Sequence, residues 1–382
     1  MKIDCFKKSF LFAFATSIIL AGCDDWTTIE PKFEGLDLNA TNKSDAYYAS
    51  LREWKNTPGL PQTFVWFDSW SGGVSGDASL SGLPDSVTIA SNWGGHPKFE
   101  LTEARKADMK YAQEVKGTKV VVTLFSAAVG DDMPADNIYE VGNSSDLAVI
   151  GPAIRKYAEA IYDHVIESGY DGFDWDYEPQ GGGGSGNYLW TNKVQRTLFV
   201  EELSYWFGKG SQRADRGGRK PAEPGLLFLI DGEVGIRGRM DKEWLSYYVD
   251  YFVLQAYGST TIANLNSRVA GVITDMSNWI ESGIIAKDEV VRRTILTENF
   301  ESYASTGGGI LEQSKFIYAP TTGSDVGVDQ QIGGFGIYRP AFDYDQGKGD
   351  YNGSPEYYFL RSGITNLYRI YNARGSELPV QP

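Results

Sequence analysis

The chain has 382 residues, with 35 Lys and Arg against 50 Asp and Glu, a net charge of −15 and 42% hydrophobic side chains. Phosphate recognition needs clustered cations, so this balance argues against a nucleic-acid partner and favours neutral ligands. With two cysteines and two histidines, His96 and His164, a disulfide framework, a Ser-His-Asp triad and a multi-histidine zinc site are all disfavoured, and no metal or other cofactor is expected.

In chain order, Lys2, Lys7 and Lys8 flank an apolar run at 10–20 that is too short to span a bilayer and closes on Leu20-Ala21-Gly22-Cys23. This start resembles a bacterial lipoprotein signal, which implies removal of residues 1–22 and acylation of Cys23. An ordinary secretory signal with an incidental cysteine is the alternative, and either one exports the chain. Asp24 and Asp25 are similar to the acidic tag that sends some lipoproteins of the Bacteroides group to the outer face of the outer membrane, so a lipid-anchored, surface-exposed protein is expected. Cys5 falls inside the signal and Cys23 carries lipid, so no cysteine nucleophile remains. Residues 23–42 read as a polar tether, and 43–382 as a single domain, expected to be monomeric.

Apolar and β-branched runs recur at 63–70, 86–91, 119–126, 170–178, 226–233, 251–258, 294–297 and 333–338. Helical periodicity fills most gaps, at 102–115, 153–167, 193–207, 264–281 and 355–371. Eight alternating units predict a parallel sheet closed as a (β/α)8 TIM barrel. The stretch 71–84 shows Gly and Ser instead of a helix, which allows some distortion, and the glycines of 181–186 read as a flexible loop. No internal repeat is present. His164 falls in a helical stretch as a surface or packing residue. The 14% aromatic content suits stacking on pyranose faces, as it also suits a large core.

The informative run is Tyr170-Asp171-Gly172-Phe173-Asp174-Trp175-Asp176-Tyr177-Glu178-Pro179. At strand period, Asp174, Asp176 and Glu178 share one face and Phe173, Trp175 and Tyr177 the other. Packing the aromatic face on the helical layer turns the acids toward the barrel axis. Two residues advance roughly 6.6 Å, so Asp174 is deepest, Asp176 intermediate, and Glu178 at the C-terminal mouth where barrel active sites lie. Buried like charges predict a shared proton. Acids neutralised by neighbouring Lys or Arg are the bland alternative, but the other strands have few inward basic residues.

These residues resemble the D-x-x-D-x-D-x-E signature of glycoside hydrolase family 18, carried on the fourth barrel strand. Asp171, Asp174, Asp176 and Glu178 match its fixed positions. The resemblance implies Glu178 as general acid and then base, Asp176 as the group that orients and charge-stabilises the substrate acetamide, and Asp174 as its inner partner. Asp171 has opposite parity and reads as structural. It also implies an N-acetylglucosamine-containing glycan or glycoprotein as partner, and a retaining mechanism in which the 2-acetamido oxygen attacks the anomeric carbon. An ordinary double displacement needs two carboxyls on opposite sides of the bond, and Asp68, Asp231 and Glu233 near strand ends are its possible nucleophiles.

Further along, Gln255 and Tyr257 share a face at the end of the sixth strand. The family often has a tyrosine there that contacts the acetamido group, and a glutamine two positions earlier is similar to the endo-β-N-acetylglucosaminidase branch. A polar pair merely lining the barrel is the alternative. Two departures weigh against the chitinase pattern: Ser126 is followed by Ala127, Ala128 and Val129 instead of S-x-G-G, and 333–338 lacks tryptophan. The expected activity is therefore cleavage in the N,N'-diacetylchitobiose core of N-glycans. A chitinase and a noncatalytic glycan-binding lipoprotein are the competing readings.

Overall fold

The computed structural model describes residues 43–73, 75–134, 141–179, 186–208, 219–222, 225–232, 249–323, 325–346 and 356–374. The expected signal, Cys23, Asp24, Asp25, the tether, most of the glycine run and Glu233 lie outside the described residues.

Eight parallel strands close a barrel: β1 (Gln62–Phe67), β2 (Ile89–Trp93), β3 (Lys119–Leu124), β4 (Gly172–Tyr177), β5 (Leu227–Gly232), β6 (Tyr251–Leu254), β7 (Thr294–Asn299) and β8 (Gly334–Tyr338). Each pairs with its sequence neighbours, and β8 returns to β1 with Gln62 opposite Gly334. All eight predicted strands are in the barrel, because each is an apolar run bounded by turn residues and a parallel strand is covered on both faces. The two faces bury separate cores. Phe64, Trp66, Ile89, Val121, Leu229, Val253 and Ile295 fill the lumen, while Val65, Val120, Phe173, Trp175, Phe228, Phe252 and Phe335 pack outward on the helices. Each fully buried large side chain contributes on the order of 2 kcal/mol.

The helices depart from expectation at their ends. Helix Leu147–Ser168 starts earlier than 153, capped by the Asp146 side chain on the Ala148 N–H at 2.9 Å, and it carries Pro152 inside. The predicted 264–281 helix breaks at Met276 into Ile262–Asp275 and Ser277–Glu281. A helix at Asp45–Lys55, before β1, was not expected. Its Lys55 Nζ donates to the Val87 carbonyl at 2.7 Å and to Thr118 Oγ1 at 2.8 Å, which ties it to the N-terminal ends of β2 and β3. Between β1 and β2 stand two short 3-10 turns, Gly76–Ala78 and Leu80–Gly82, in the stretch where no helix was predicted. Between β7 and β8, Ile317–Tyr318 and Gln330–Gln331 form an antiparallel ribbon.

Candidate active site

Alternation places β4 as its sequence implies. Phe173 stacks near Phe228 and Phe207, and Trp175 meets Phe199 edge to face at 5.3 Å. That outward anchoring forces Asp174 and Asp176 into the lumen, both with 0% of their surface exposed, while Glu178 lies just past the strand and is half-buried. Asp171, before β4, turns outward. Its carboxylate accepts from the Val120 N–H at 2.8 Å, from Gln113 Nε2 at 2.9 Å and from Lys119 Nζ at 3.2 Å.

Asp174 is gripped from two other strands: Trp66 Nε1 of β1, across the lumen, donates to its Oδ2 at 2.9 Å and Thr123 Oγ1 of the adjoining β3 at 2.8 Å. Ser91 of β2 is in turn hydrogen-bonded to Thr123. Burial pushes the Asp174 carboxyl up to about 6, against the pull of the bonds from Thr123 and Trp66. Asp176 has neither oxygen hydrogen-bonded to an N–H or hydroxyl donor. Burial, then the charges of Glu178 and Asp174, hold it well above the usual carboxylate range.

Asp231 of β5 completes the set. It is the register partner of Asp176 across the β4–β5 pair and is equally buried. Burial, then Asp174 and Asp176, raise its carboxyl strongly. Among the described residues, the charged groups acting on Asp174, Asp176 and Asp231 are other acids, so no cation offsets the cost of burying them. Gly232, with φ +81°, ends β5 where an added Cβ would lie 2.7 Å from the Tyr177 carbonyl and 3.0 Å from Glu178 Cγ. Glycine there lets the two acid-bearing strand ends approach.

Gln255 and Tyr257 are brought to the acids, although β6 ends at Leu254 and both lie in the turn beyond it. The strand was expected to run to 258. It stops because the Ala256 N–H folds back onto the Leu254 carbonyl at 2.8 Å, and Thr297 Oγ1 donates to that same carbonyl at 3.0 Å. Gln255 Nε2 donates to Glu178 Oε1 at 2.6 Å and reaches Asp231 Oδ1 at 3.5 Å. Burial, followed by Asp231, Asp176 and Glu178, raises the Tyr257 phenol, which keeps it a protonated donor facing those acids. The turn is fixed from outside by Glu298 of β7, whose buried carboxylate accepts from the backbone N–H groups of Gly258 at 2.9 Å, Gly309 at 2.6 Å and Asn299 at 2.9 Å. Sequence reasoning missed Glu298, and its only signal was an acid closing an apolar strand.

The opposite side of the mouth is aromatic. Trp66 meets Tyr338 at 6.2 Å, Tyr338 meets Trp93 at 5.4 Å, and Trp93 meets Phe125 at 5.5 Å, all edge to face. Phe125 remains 41% exposed. Such rings suit the apolar faces of pyranoses. The following residue, Ser126, is left-handed with φ +42° and is held by the Tyr157 hydroxyl at 2.9 Å. Asp68, one possible nucleophile, is engaged at the rim by Arg339 Nε at 2.6 Å. His96 lies beside Asp132, and His164 bonds the Gly95 carbonyl at 3.0 Å. No group of His, Cys, Asp and Glu among the described residues could hold a metal ion.

A closed parallel barrel with acids at the C-terminal mouth of its fourth strand has the architecture of a (β/α)8 enzyme. The family model described as "Glycoside hydrolase family 18, BT1044-like" matches residues 33–364, and the chain belongs to glycoside hydrolase family 18. Among solved structures it is similar to a selenomethionine form of BT1044 bearing one Glu-to-Gln substitution, with 26% identity, a TM-score of 0.64, and coverage of 90% of this chain and 97% of that one. A family 18 chitinase from Pseudoalteromonas aurantia shares 13% identity at a TM-score of 0.45, covering 75% of this chain and 97% of its own. Catalytic-site mutants of active domain 2 of a chitinase from Pyrococcus furiosus share 10% identity at a TM-score of 0.43, covering 81% and 96%. No curated protein matches the sequence.

Proposed function

We propose that this family 18 member is an endo-β-N-acetylglucosaminidase that cleaves the β-1,4 bond of the N,N'-diacetylchitobiose core of N-glycans. The observation that carries the reading is the 2.6 Å hydrogen bond from Gln255 to Glu178, which joins the glutamine similar to the endoglycosidase branch to the acid assigned as proton donor. Glu178 is half-buried at the mouth and within reach of a glycosidic oxygen. Asp176, with no N–H or hydroxyl donor on either oxygen, suits acceptance of an acetamide N–H, and Tyr257 is kept protonated as a donor beside the acids. The chemistry is retaining and substrate-assisted. Glu178 protonates the leaving oxygen while the acetamido oxygen closes on the anomeric carbon, Asp176 stabilises the cationic oxazolinium species, and Glu178 then deprotonates the incoming water. The same reading puts the mature protein on the outer membrane, anchored through lipid on Cys23.

The test is a digest of high-mannose, hybrid and complex glycoproteins beside chitin oligomers, read by mass spectrometry. Loss of the glycan with one N-acetylglucosamine left on the protein is expected. Glu178→Gln should lower hydrolysis by roughly 100-fold to 10,000-fold with binding retained. Asp176→Asn should still transfer glycan from a preformed sugar oxazoline while hydrolysing slowly. Cleavage of chitin oligomers alone makes the protein a chitinase, and binding of glycans without any cleavage makes it a capture protein. Wild-type hydrolysis by Asp176→Asn removes substrate assistance.

A further inference from the structure

Asp176 has an unusual environment for a group that must act as an anion. Both of its oxygens are buried with no N–H or hydroxyl donor, although an ionised carboxylate is an acceptor that costs free energy when left without donors. Directly across the β4–β5 pair stands Asp231, on the same face and at the same level, with 0% of its surface exposed and its Oδ2 also without a donor. Two neighbouring buried carboxylates cannot both be anions without a cation between them. The titratable groups facing Asp231 are Asp174, Asp176 and Glu178 from β4 and its end, and Tyr257 from the turn after β6.

We propose that Asp231 is a positioning residue of the active site, whose protonated carboxyl donates the hydrogen bond that Asp176 otherwise lacks and whose other oxygen meets Gln255, so that it sets the stance of both Asp176 and Glu178. The inference rests on the reading of the site given above. Asp174 already accepts from Trp66 and Thr123, so it is stabilised as an acceptor and is the poorer holder of the proton. Asp231 is within hydrogen-bonding reach of both Asp174 and Asp176, but among the described residues it has no N–H or hydroxyl donor beyond Gln255 Nε2 at 3.5 Å, and that amide is engaged by Glu178 at 2.6 Å. When the oxazolinium charge develops, Asp176 faces it as an anion still held from behind by Asp231. The Asp231 proton stays on Asp231 throughout, so no bond to substrate forms or breaks at this residue. Its complete burial beside Asp176 also keeps it on the same side of the scissile bond as the other acids, which denies it the nucleophile's place.

Three variants and two readouts decide the matter. In Asp231→Asn the amide can still donate to Asp176 and accept from Gln255, whereas Asp231→Ala can do neither. Asparagine should keep kcat within about 5-fold of wild type and alanine should lose at least roughly 10-fold, the order expected when a buried acceptor is left without its donor. In Asp231→Ala the acid limb of kcat should move to higher pH, because the Asp176 anion loses its donor, and in Asp231→Asn it should stay near wild type, because the amide still donates. The infrared carbonyl band of protonated carboxyl groups in the substrate-free protein at neutral pH should weaken in both Asp231 variants. An Asp231→Asn enzyme as inactive as Glu178→Gln would show that the carboxyl itself reacts and overturn the proposal. So would an Asp231→Ala enzyme with the wild-type rate and acid limb. If no glycan is cleaved by the wild type, the infrared band still decides: an unchanged band in Asp231→Asn refutes the shared proton independently of the substrate. Should Asp231→Ala fail to fold, Asp231→Asn carries both measurements.

Discussion

A row of acids inside a barrel is a standing cost that the fold carries for chemistry. Asp174 shows the sign of that cost. Its carboxyl titrates at about 6 in the folded protein against 3.8 when solvated, because burial disfavours the charged form more than Trp66 and Thr123 favour it. The folded state therefore keeps a proton that the unfolded chain has released, and stability from this group is complete below 3.8 and lost as pH rises through about 6. Asp174→Asn removes the titration while keeping an oxygen for Trp66 and Thr123. The variant should melt above wild type at pH 8, by a margin on the order of a few kcal/mol, with the gap closing toward pH 4. Calorimetry at the two pH values checks this, and a gap that is the same at both would mean that Asp174 does not titrate in this window. Activity should fall in the same variant, since the inner partner of Asp176 has lost its charge.

Among the elements, β7 acts on the site at a distance. Glu298 points outward from the strand, and its carboxylate gathers N–H groups from three segments: the turn that carries Tyr257, the glycine loop at Gly309, and its own neighbour Asn299. An added Cβ at Gly308 would lie 2.7 Å from Glu298 Oε2, so the loop is built tightly around this side chain. Removing the carboxylate orphans buried donors at about 1 to 3 kcal/mol each. Glu298→Ala should therefore lower stability by roughly 3 kcal/mol or more in denaturant titrations and reduce kcat/KM as Tyr257 and Gln255 lose their seat, while Glu298→Gln should fall between. Unchanged stability in Glu298→Ala would sink the account of the turn. β6 itself was predicted four residues too long. An apolar pattern predicts where a chain can pair, but the carbonyl of Leu254 is claimed by Ala256 and Thr297, and only the neighbouring strand reveals that competition.

For the whole molecule, the barrel separates two kinds of surface at its mouth, acids on the β4–β6 side and rings of Trp93, Phe125 and Tyr338 on the other. No helix among the described residues is long and apolar enough to cross a membrane. Attachment, as proposed, depends on Cys23, and Cys23→Ala should move the protein from the membrane pellet to the soluble fraction on cell fractionation. A variant that stays with the membranes after a carbonate wash would remove the lipid anchor from this picture.

The orientation of β4 was legible from the sequence because it is local: strand period two and a run of three aromatics decide which way Asp174, Asp176 and Glu178 face before any partner strand is known. The barrel was legible for a similar reason, since buried parallel strands are written as apolar runs and alternation with helices leaves few closures. The meeting of Asp231 with Asp176 was not, because it depends on the register between β4 and β5, which is set by inter-strand hydrogen bonds and by Gly232 permitting a close approach. Nor was the helix Asp45–Lys55, whose place is decided by what Lys55 meets at the ends of β2 and β3. Sequence by itself determined the residues that face the lumen and the reaction class they suit. Only the tertiary structure decided which acids stand together and are pushed up, since a carboxyl's charge is settled by burial and by neighbours brought from other strands.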